Sequence, residues 1–313
     1  MVGKSLHKAL TLTTYILVVI VIYPIVLVVS TIVTNIESCR RKKEKSIKNE
    51  VAVVTGSASG LGKNIATELA ARGCHVAICD INYDLAVTTA KEIAEKYGVK
   101  AKAYKVDVTK YDEIVELNEK LTNDIGVATI LVNNAGLLFH PDRLNPTVKD
   151  IETMINVNYT SHFWTNRVFM ENMKRARKGY LMGMCSLSGL QTLAQSEPYS
   201  STKFAVRTLM RIRRVELKME GFSDIHCTTV FPHFTRTNAR VTQVAEEVGF
   251  TKLYPLLEGE EVAQRAVSGM LCGEVEVIIP SIIALIYRLQ VLLPQRVQDW
   301  LITAFVKNSK DSN

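Results

Sequence analysis

Residues 51–62 read Val-Ala-Val-Val-Thr-Gly-Ser-Ala-Ser-Gly-Leu-Gly, and the architecture of the chain can be worked out from them. The first four are small or β-branched apolar residues, which predicts a short buried strand of a parallel sheet. The turn that follows has glycines at positions 56, 60 and 62, and residues 63–72 have helix-forming character. A strand that runs through a glycine-rich turn into a helix can bind a phosphate, because the backbone approaches the anion closely and the helix dipole favours negative charge. Taken alone, the stretch is equally compatible with an ordinary glycine-rich turn.

Strand-like and helix-like stretches alternate along the rest of the chain. We predict strands at residues 75–79, 102–106 and 129–132, helices at 83–97 and 110–124, and a long helix within 150–174. This alternation predicts the α/β class, a doubly wound parallel sheet with helices on both faces. The length of 313 residues accommodates one such domain of about 230–260 residues with extensions at its ends.

Polar residues follow the second and fourth predicted strands. Asp80 comes 18 positions after Gly62, close to the roughly 20 expected for a carboxylate that binds the ribose of an adenine dinucleotide. A carboxylate there repels a 2′-phosphate and so favours NAD over NADP. Capping of the helix at 83–97 is an alternative role for Asp80, compatible with the first. Residues 133–136, Asn-Asn-Ala-Gly, follow the fourth strand, where small and amide residues suit a chain that passes close to a cofactor.

Four motifs occur in order: Thr-Gly-x-x-x-Gly-x-Gly at residues 55–62, Asp107, Asn-Asn-Ala-Gly at 133–136 and Tyr-Ser-Ser-Thr-Lys at 199–203. Together they resemble the short-chain dehydrogenase/reductase family, over a region from residue 48 to residue 280. The resemblance implies a Rossmann-type sheet of seven parallel strands, with the last three at 180–185, 225–231 and 275–279. It also implies an enzyme that transfers hydride between an alcohol and a nicotinamide dinucleotide.

The resemblance implies four catalytic residues, Asn158, Ser186, Tyr199 and Lys203. Tyr199 and Lys203 are four positions apart and share one helix face. The Lys203 ammonium and an oxidised nicotinamide are expected to lower the pKa of the Tyr199 phenol, which exchanges a proton with the substrate. Ser186 would hydrogen-bond the substrate oxygen, and Asn158 would hold a water in the proton relay. Ser188 competes with Ser186, whose spacing is better, and a solvated helix face is the alternative for the Tyr–Lys pair.

The same resemblance implies the residues that bind the cofactor, expected to be NAD rather than NADP. They are Gly56, Ser59, Gly60, Leu61, Gly62, Asp80, Asp107, Val108, Asn134, Ala135, Gly136, Tyr199, Lys203, Pro232 and Thr237. One departure is visible, because the family usually has Pro-Gly where this chain has Pro232-His233. His233 carries a Cβ, so its backbone must keep a negative φ or accept strain. A catalytic or metal-ligating role for His233 is a minor alternative, and the sequence otherwise predicts no metal site.

An apolar stretch precedes the dinucleotide-binding region. Residues 9–33 contain no charged residue in 25 positions, and a helix of that length, at about 1.5 Å per residue, spans the roughly 30 Å of a bilayer core. A signal-peptide core has only about 7–15 residues, so we predict a retained signal-anchor rather than a cleaved signal or a buried helix. Two basic residues precede the stretch and six follow it, which predicts that the C-terminal side lies in the cytosol.

The basic residues behind this stretch explain much of the net charge of +7. The run Arg-Arg-Lys-Lys-Glu-Lys at 40–45 lies where it would attract anionic lipid headgroups, so we expect membrane lipids and no nucleic acid as partners. The six cysteines show no paired or metal-ligand spacing, and free thiols are expected in the cytosol.

Apolar segments are expected around the substrate. Residues 238–257 read as irregular and apolar, which suits a lid over an apolar substrate, although helices that merely pack on the sheet are an alternative. Residues 281–293 are almost wholly apolar but too short to span a bilayer, and helical spacing continues beyond Pro294. We predict an amphipathic pair that lies on the bilayer or roofs the substrate site, with a subunit interface in a homodimer as the rival interpretation.

The predicted organisation has four parts: a luminal tail and signal-anchor at 1–36, a basic juxtamembrane linker at 37–48, a dehydrogenase domain at 49–280 and an amphipathic extension at 281–313. The anchor, Asp80-Ile-Asn82 and His162-Phe-Trp-Thr165 resemble the branch of the family with the epidermal retinol dehydrogenases and the type 11 and type 13 17-beta-hydroxysteroid dehydrogenases. This branch implies an NAD-dependent oxidoreductase of the endoplasmic reticulum membrane or lipid droplet that acts on a retinoid, steroid or long-chain alcohol. A membrane scaffold that keeps the fold and cofactor without catalysis is the alternative.

Overall fold

Seven parallel strands form the central sheet. The computed structural model describes residues 10–11, 13–26, 28–29, 43–138, 145–192, 196–237, 239–247 and 255–310. In the described residues, the strands of this sheet and of a separate two-stranded sheet are β1 (Val51–Thr55), β2 (His75–Asp80), β3 (Ala101–Lys105), β4 (Ile130–Asn133), β5 (Gly179–Met184), β6 (Ile225–Pro232), β7 (Thr235–Arg236), β8 (Leu257–Glu258) and β9 (Glu276–Ile279). The sheet order is β3-β2-β1-β4-β5-β6-β9, and β7 pairs separately with β8. The predicted doubly wound sheet of seven parallel strands is confirmed.

Helices cover both faces of this sheet. They are α1 (Gly60–Ala71), α2 (Tyr83–Tyr97), α3 (Tyr111–Asp124), α4 (Val148–Ile155), α5 (Ser161–Ala176), α6 (Glu197–Met219), α7 (Ala239–Glu247), α8 (Gly259–Leu271), α9 (Ile282–Gln290) and α10 (Gln295–Lys310). Buried side chains of α1, α2 and α8 pack on one face, and those of α3, α5 and α6 pack on the other. Because both faces are covered, every residue of β1 is buried, as its continuous apolar sequence predicts.

Strands β1 and β4 are the neighbours at which the strand order reverses. The chain proceeds from β1 outward to β2 and β3 and then returns to β4 on the other side of β1. Val54 pairs with Val132, so Thr55 and Asn133 leave the sheet side by side. Doubly wound sheets open a crevice at such a point, and ligands bind there.

The long helix predicted within residues 150–174 contains a π-helical turn. α4 ends at Ile155, a π-helical turn covers Asn156–Thr160, and α5 begins at Ser161. The wider turn changes the angular position of the side chains that follow it. Asn158 lies in this turn and is fully buried. Residues 148–176 are thus helical throughout, which confirms the predicted long helix; the sequence did not indicate the π-helical turn within it.

A second difference lies in the segment after β6, which the sequence predicts to be irregular. Residues 239–247 form α7 instead. Ala245 is buried and Val241 is half-buried, and positions four apart share a helix face. Residues 248–254, which include Phe250 and Leu253 of the predicted lid, lie outside the described residues.

The chain divides into two compact units, residues 1–44 and 45–313. In the smaller unit the described residues between 10 and 29 are helical, with a π-helical turn at Val18–Ile22. Their apolar side chains, such as Ile20 and Tyr23, are exposed. Among the described residues, no helix combines the length and the apolar character needed to cross a membrane. The other positions of the predicted signal-anchor, 9, 12, 27 and 30–33, lie outside the described residues, as do residues 40–42 of the basic run.

Candidate active site

The glycine-rich turn between β1 and α1 borders the crevice. Gly56 and Gly60 have φ values of +62° and +55°, in a region that favours glycine. A Cβ on Gly62 would lie 2.5 Å from Asn134 Nδ2 and still closer to the Gly56 carbonyl oxygen. Helix α1 begins at Gly60, three residues earlier than the sequence predicts, so two of the glycines belong to its first turn. This bare backbone at a helix N-terminus fits the pyrophosphate of a dinucleotide.

Hydrogen bonds tie the loop after β4 to this turn. Thr55 Oγ1 accepts from the backbone N–H of Asn134 at 3.0 Å and of Ala135 at 3.1 Å. The Asn134 side chain donates to the carbonyls of Thr55 at 3.0 Å and Gly56 at 2.9 Å. Gly136 follows, and a Cβ there would lie 3.7 Å from the Nζ atom of a buried lysine, Lys203. Two motifs that are far apart in the sequence therefore form one wall of the site.

Asp80 lies beside the same turn at the end of β2. One of its carboxylate oxygens accepts from the Ala58 N–H at 3.0 Å and the other from the Asn82 N–H at 3.0 Å. Asn82 caps α2, since its side chain accepts from the Leu85 N–H at 3.2 Å. The capping role considered for Asp80 is therefore wrong, because the loop places Asn82 at the helix start.

Two further loops bring predicted residues to the crevice. The Asp107 carboxylate accepts from the N–H and the hydroxyl of Thr109 at 3.0 and 2.7 Å, which fixes the turn that contains Val108. Thr237 follows β7 and packs on the glycine-rich turn, because a Cβ on Gly60 would lie 3.4 Å from Thr237 Cβ.

A cavity of about 1310 Å³ runs along this edge of the sheet. Every residue predicted to bind the cofactor lines it, from Gly56 to Thr237. The volume exceeds the roughly 300–1,000 Å³ of a common ligand pocket, so a dinucleotide and a second molecule fit side by side. The cavity is also lined by apolar residues of α9, including Ile283, Ile286 and Leu289.

Ser186, Tyr199 and Lys203 meet in this cavity. Ser186 follows β5, and its hydroxyl is hydrogen-bonded to the Tyr199 phenol. Lys203 lies one turn after Tyr199 on α6. Its Nζ donates to the Met184 carbonyl at 3.0 Å and lies 5.6 Å from the centre of the Tyr199 ring. Ser188 contacts the group through its backbone N–H, which donates to Ser186 Oγ at 3.1 Å, so Ser186 is the serine that pairs with the phenol.

Burial dominates the electrostatics of this group. Tyr199 and Lys203 are 7% and 5% exposed. Desolvation raises the pKa of the Tyr199 phenol above its usual range, although the hydrogen bond with Ser186 acts in the lowering direction. Burial also lowers the pKa of the Lys203 ammonium. The protein alone thus raises the pKa of the Tyr199 phenol. The sequence analysis predicts a lowered pKa, but that prediction includes the charge of an oxidised nicotinamide as well as that of Lys203.

Asn158 is not among the described residues that line the cavity. Its Oδ1 accepts from the Leu137 N–H at 2.7 Å, and its Nδ2 donates to the Leu137 carbonyl at 2.8 Å and to Thr202 Oγ1 at 3.4 Å. The two bonds to Leu137 fix the loop after β4, and the third joins Asn158 to Thr202, the residue before Lys203. The water-holding role of Asn158 stays a prediction.

His233, which replaces the family glycine, lines the cavity. Among the described residues, non-glycine positions with positive φ are limited to Asn49 and Arg177, so His233 keeps the negative φ that its Cβ requires. Its backbone N–H donates to the Ile279 carbonyl at 2.9 Å. Burial lowers the pKa of His233 to about 4, which makes it a neutral side chain at physiological pH.

Three polar side chains near the site are not among the site residues that the sequence predicts. Gln191, in the loop after β5, donates through Nε2 to Oε1 of Gln290 on α9, and both residues line the cavity. A lone amide within the apolar stretch 281–293 is the one signal that could have indicated Gln290. His162 on α5 is 1% exposed, and its Nδ1 has no hydrogen-bond partner in the described part of the chain. Burial and the charge of Lys203 lower its pKa to about 3.

The doubly wound sheet, the glycine-rich turn and the buried Ser-Tyr-Lys group define an oxidoreductase of the alcohol-dehydrogenase type that uses a nicotinamide dinucleotide. A family model described as short chain dehydrogenase matches residues 50–248. The chain belongs to the short-chain dehydrogenase family, which confirms the resemblance found in the sequence.

Several known proteins are similar to this chain over most of their length. The chain is 31% identical to 17-beta-hydroxysteroid dehydrogenase 13 of Homo sapiens over 260 residues, which covers 82% of this chain and 83% of that protein. It is 30% identical to estradiol 17-beta-dehydrogenase 11 of Mus musculus over 287 residues, which covers 90% and 92%. A solved structure of NAD+-bound xylitol dehydrogenase has a TM-score of 0.67 at 20% identity and covers 75% of this chain and 99% of that chain. The last similarity concerns the fold alone.

Proposed function

We propose that the protein is an NAD-dependent oxidoreductase that interconverts a lipophilic alcohol, such as a retinoid, a steroid or a long-chain alcohol, and its carbonyl. The observation that carries this proposal is the hydrogen-bonded pair of Ser186 and Tyr199, which lies with Lys203 in the cavity that the glycine-rich turn also lines. The names of the two relatives, a hydroxysteroid and an estradiol dehydrogenase, support a steroid-like alcohol among the substrates.

The side chains supply binding and proton transfer, and a nicotinamide ring, when bound, accepts or supplies hydride at the substrate carbon. Ser186 holds the substrate oxygen by a hydrogen bond and stabilises charge that develops there. Tyr199 takes the hydroxyl proton during oxidation and returns it during reduction. Because burial raises the pKa of Tyr199, the phenol is protonated in the chain at neutral pH and suited to donate. Lys203, held by the Met184 carbonyl, places a positive charge near the phenol and favours its ionised form.

The apolar side of the cavity supports a lipophilic substrate. Ile283, Ile286 and Leu289 of α9 line it together with Val241 of α7. Burying an apolar ring or chain against such a wall stabilises the complex by about 25 cal/mol per Å² of apolar surface removed from water. A polar sugar alcohol would gain nothing comparable.

A substrate screen tests the proposal. Purified protein with NAD is incubated with retinol, estradiol and hexadecanol, and NADH formation is followed by absorbance. We expect NADH from at least one of these alcohols. Binding of NAD without NADH formation from any of them would favour the scaffold alternative instead.

The choice of cofactor gives a prediction for Asp80. We expect NAD to bind about tenfold or more tightly than NADP, because the carboxylate would face the 2′-phosphate with like charge. Asp80→Asn should reduce this preference to below about threefold, since the repulsion is removed. Direct titration of both dinucleotides measures it, with Asp84→Asn, an exposed carboxylate on the first turn of α2, as the matched control. Equal affinities of the unaltered protein for NAD and NADP would contradict the role of Asp80.

We also propose that residues 9–33 anchor the protein in the endoplasmic reticulum membrane or on lipid droplets with the catalytic domain in the cytosol. The uncharged length of this stretch and the exposed apolar side chains of its described part support insertion. Helices α9 and α10 and the turn between them expose further apolar residues, among them Leu285, Leu292 and Trp300. These two helices therefore suit contact with a lipid surface beside the substrate cavity.

Truncation before the catalytic domain should change the strength of attachment. The shortened chain should begin at Lys43, because Ile47 is 1% exposed and the Lys45 N–H donates to the Leu271 carbonyl at 3.3 Å. We expect the full chain to resist alkaline carbonate extraction and the shortened chain to be extracted, yet to bind liposomes weakly through α9 and α10. Resistance of the shortened chain to carbonate would contradict the role of residues 9–33. A complete lack of liposome binding would contradict the role of α9 and α10 and favour a subunit interface there.

A further inference from the structure

Helix α9 is joined to the catalytic elements at two points. The first lies on α6, where Arg207 follows Lys203 by one turn. Arg207 donates from Nη1 to Tyr287 Oη at 2.7 Å and from Nε to Glu276 Oε1 at 3.1 Å. Neither Arg207 nor Tyr287 is among the described residues that line the cavity. This connection holds the helix in place without contacting the space for a substrate.

The second connection lies within the cavity wall. Gln191 Nε2 donates to Gln290 Oε1, and both half-buried side chains line the cavity. The other polar atoms of the two amides, Gln191 Oε1 and Gln290 Nε2, make no further hydrogen bond within the described ranges of the chain. The pair thus presents an acceptor and a donor together.

The surroundings of this pair are apolar. Ile286, Leu289 and Leu293 also line the cavity, and all three lie within four positions of Gln290 in the sequence. A polar atom that loses its water without gaining a hydrogen-bond partner costs free energy. A ligand that covers this wall with hydrocarbon alone would leave Gln191 Oε1 and Gln290 Nε2 without water and without a partner. A ligand group that accepts from one amide and donates to the other avoids the cost.

We propose that Gln191 and Gln290 recognise a second polar group on the lipophilic substrate, away from the carbon that is oxidised. A hydroxyl can donate to Gln191 Oε1 and accept from Gln290 Nε2, and a ketone can accept from Gln290 Nε2. Ser186 and Gln191 belong to the same loop after β5, which contacts the reacting oxygen at one position and the second polar group at the other. This inference rests on the proposed function, because it assigns the kind of lipid alcohol that the site prefers.

Matched substrates test this assignment. One pair is estradiol and its analogue without the phenolic hydroxyl, and the other is hexadecanediol, with a hydroxyl at each end, and hexadecanol. For Gln290→Leu we expect kcat/KM to fall about tenfold or more for the doubly polar member of a pair and to change less than about threefold for the other. Gln191→Leu should behave in the same way. NAD titration and thermal melting of each variant show that it is folded.

The control is Tyr287→Phe, at a position on α9 like that of Gln290. It removes the hydrogen bond that Arg207 of α6 donates to Tyr287, and it does not alter the cavity lining. Its effect should be the same for both members of a pair. Equal losses for both members with Gln290→Leu and Gln191→Leu would overturn the assignment and make the glutamines a structural connection like that of Tyr287. In that case oxidation by the unaltered protein would leave the proposed function intact. Oxidation of neither pair by the unaltered protein would contradict the proposed function and this inference together.

Discussion

Replacement of Tyr199 by phenylalanine is expected to lower kcat by about a hundredfold to ten-thousandfold with the cognate alcohol. The phenol is the group that exchanges the proton, and it is buried against Ser186 in the cavity. The phenylalanine ring keeps the packing, so NAD affinity should stay within about threefold of its original value. Steady-state kinetics and NAD titration on the same preparation measure the two quantities.

Tyr287→Phe is the matched control for this substitution, because it also removes a phenolic hydroxyl but lies outside the cavity lining. It should keep at least about a tenth of the rate, since no proton-transfer group is lost. A rate above about a tenth of the original in Tyr199→Phe would show that another group transfers the proton.

Gly62→Ala is expected to lower dinucleotide affinity by about a hundredfold, equivalent to about 2.8 kcal/mol. The added Cβ would lie 2.5 Å from Asn134 Nδ2 and closer still to the Gly56 carbonyl, so the two loops that form the wall of the site must separate. Such overpacking also costs about 1–3 kcal/mol of folding free energy. Titration with NAD and urea unfolding measure the two losses separately.

Gly98→Ala supplies the comparison. Gly98 has a φ of +66° and no heavy atom within 4 Å of an added Cβ, so alanine there costs about 1–2 kcal/mol of stability through the backbone alone. NAD affinity should be unaffected by that change. An equal loss of affinity in both variants would mean that general destabilisation, rather than the shape of the turn, weakens binding.

The parts of the site that depend on a single βαβ unit follow from the sequence. The buried strand at 51–54, the glycines after it and the position of Asp80 are fixed by short-range spacing, because one strand, one helix and the next strand have a nearly constant length. The structure places the three glycines and Asp80 on the cavity, and residues 51–54 form the buried strand β1. Tyr199 and Lys203 were identified through the resemblance to the family, and their spacing of four positions puts them on one helix face.

Features that depend on contacts between distant segments were not predictable in this way. Gln191 and Gln290 are 99 positions apart, and only the folded chain shows that they meet. The π-helical turn at Asn156–Thr160 contains Asn158, whose side chain bonds the Leu137 backbone 21 positions away. The raised pKa of Tyr199 results from burial by several elements at once, whereas reasoning from its neighbours considered only charge.

The position of Arg207 has a consequence for how the enzyme can acquire new substrates. Tyr199, Lys203 and Arg207 occupy successive turns of the unbroken helix α6, and Arg207 donates a hydrogen bond to Tyr287 of helix α9. The reacting phenol therefore lies on the same helix, α6, that is hydrogen-bonded to α9, the helix that lines part of the cavity. A mutation that enlarges the pocket by moving α9 also displaces α6 through the Arg207–Tyr287 bond and disturbs the position of the phenol. In directed evolution, we expect variants with a wider substrate range to have a lower kcat. Only substitutions that change α9 side chains and keep the Arg207–Tyr287 bond should increase both substrate range and kcat.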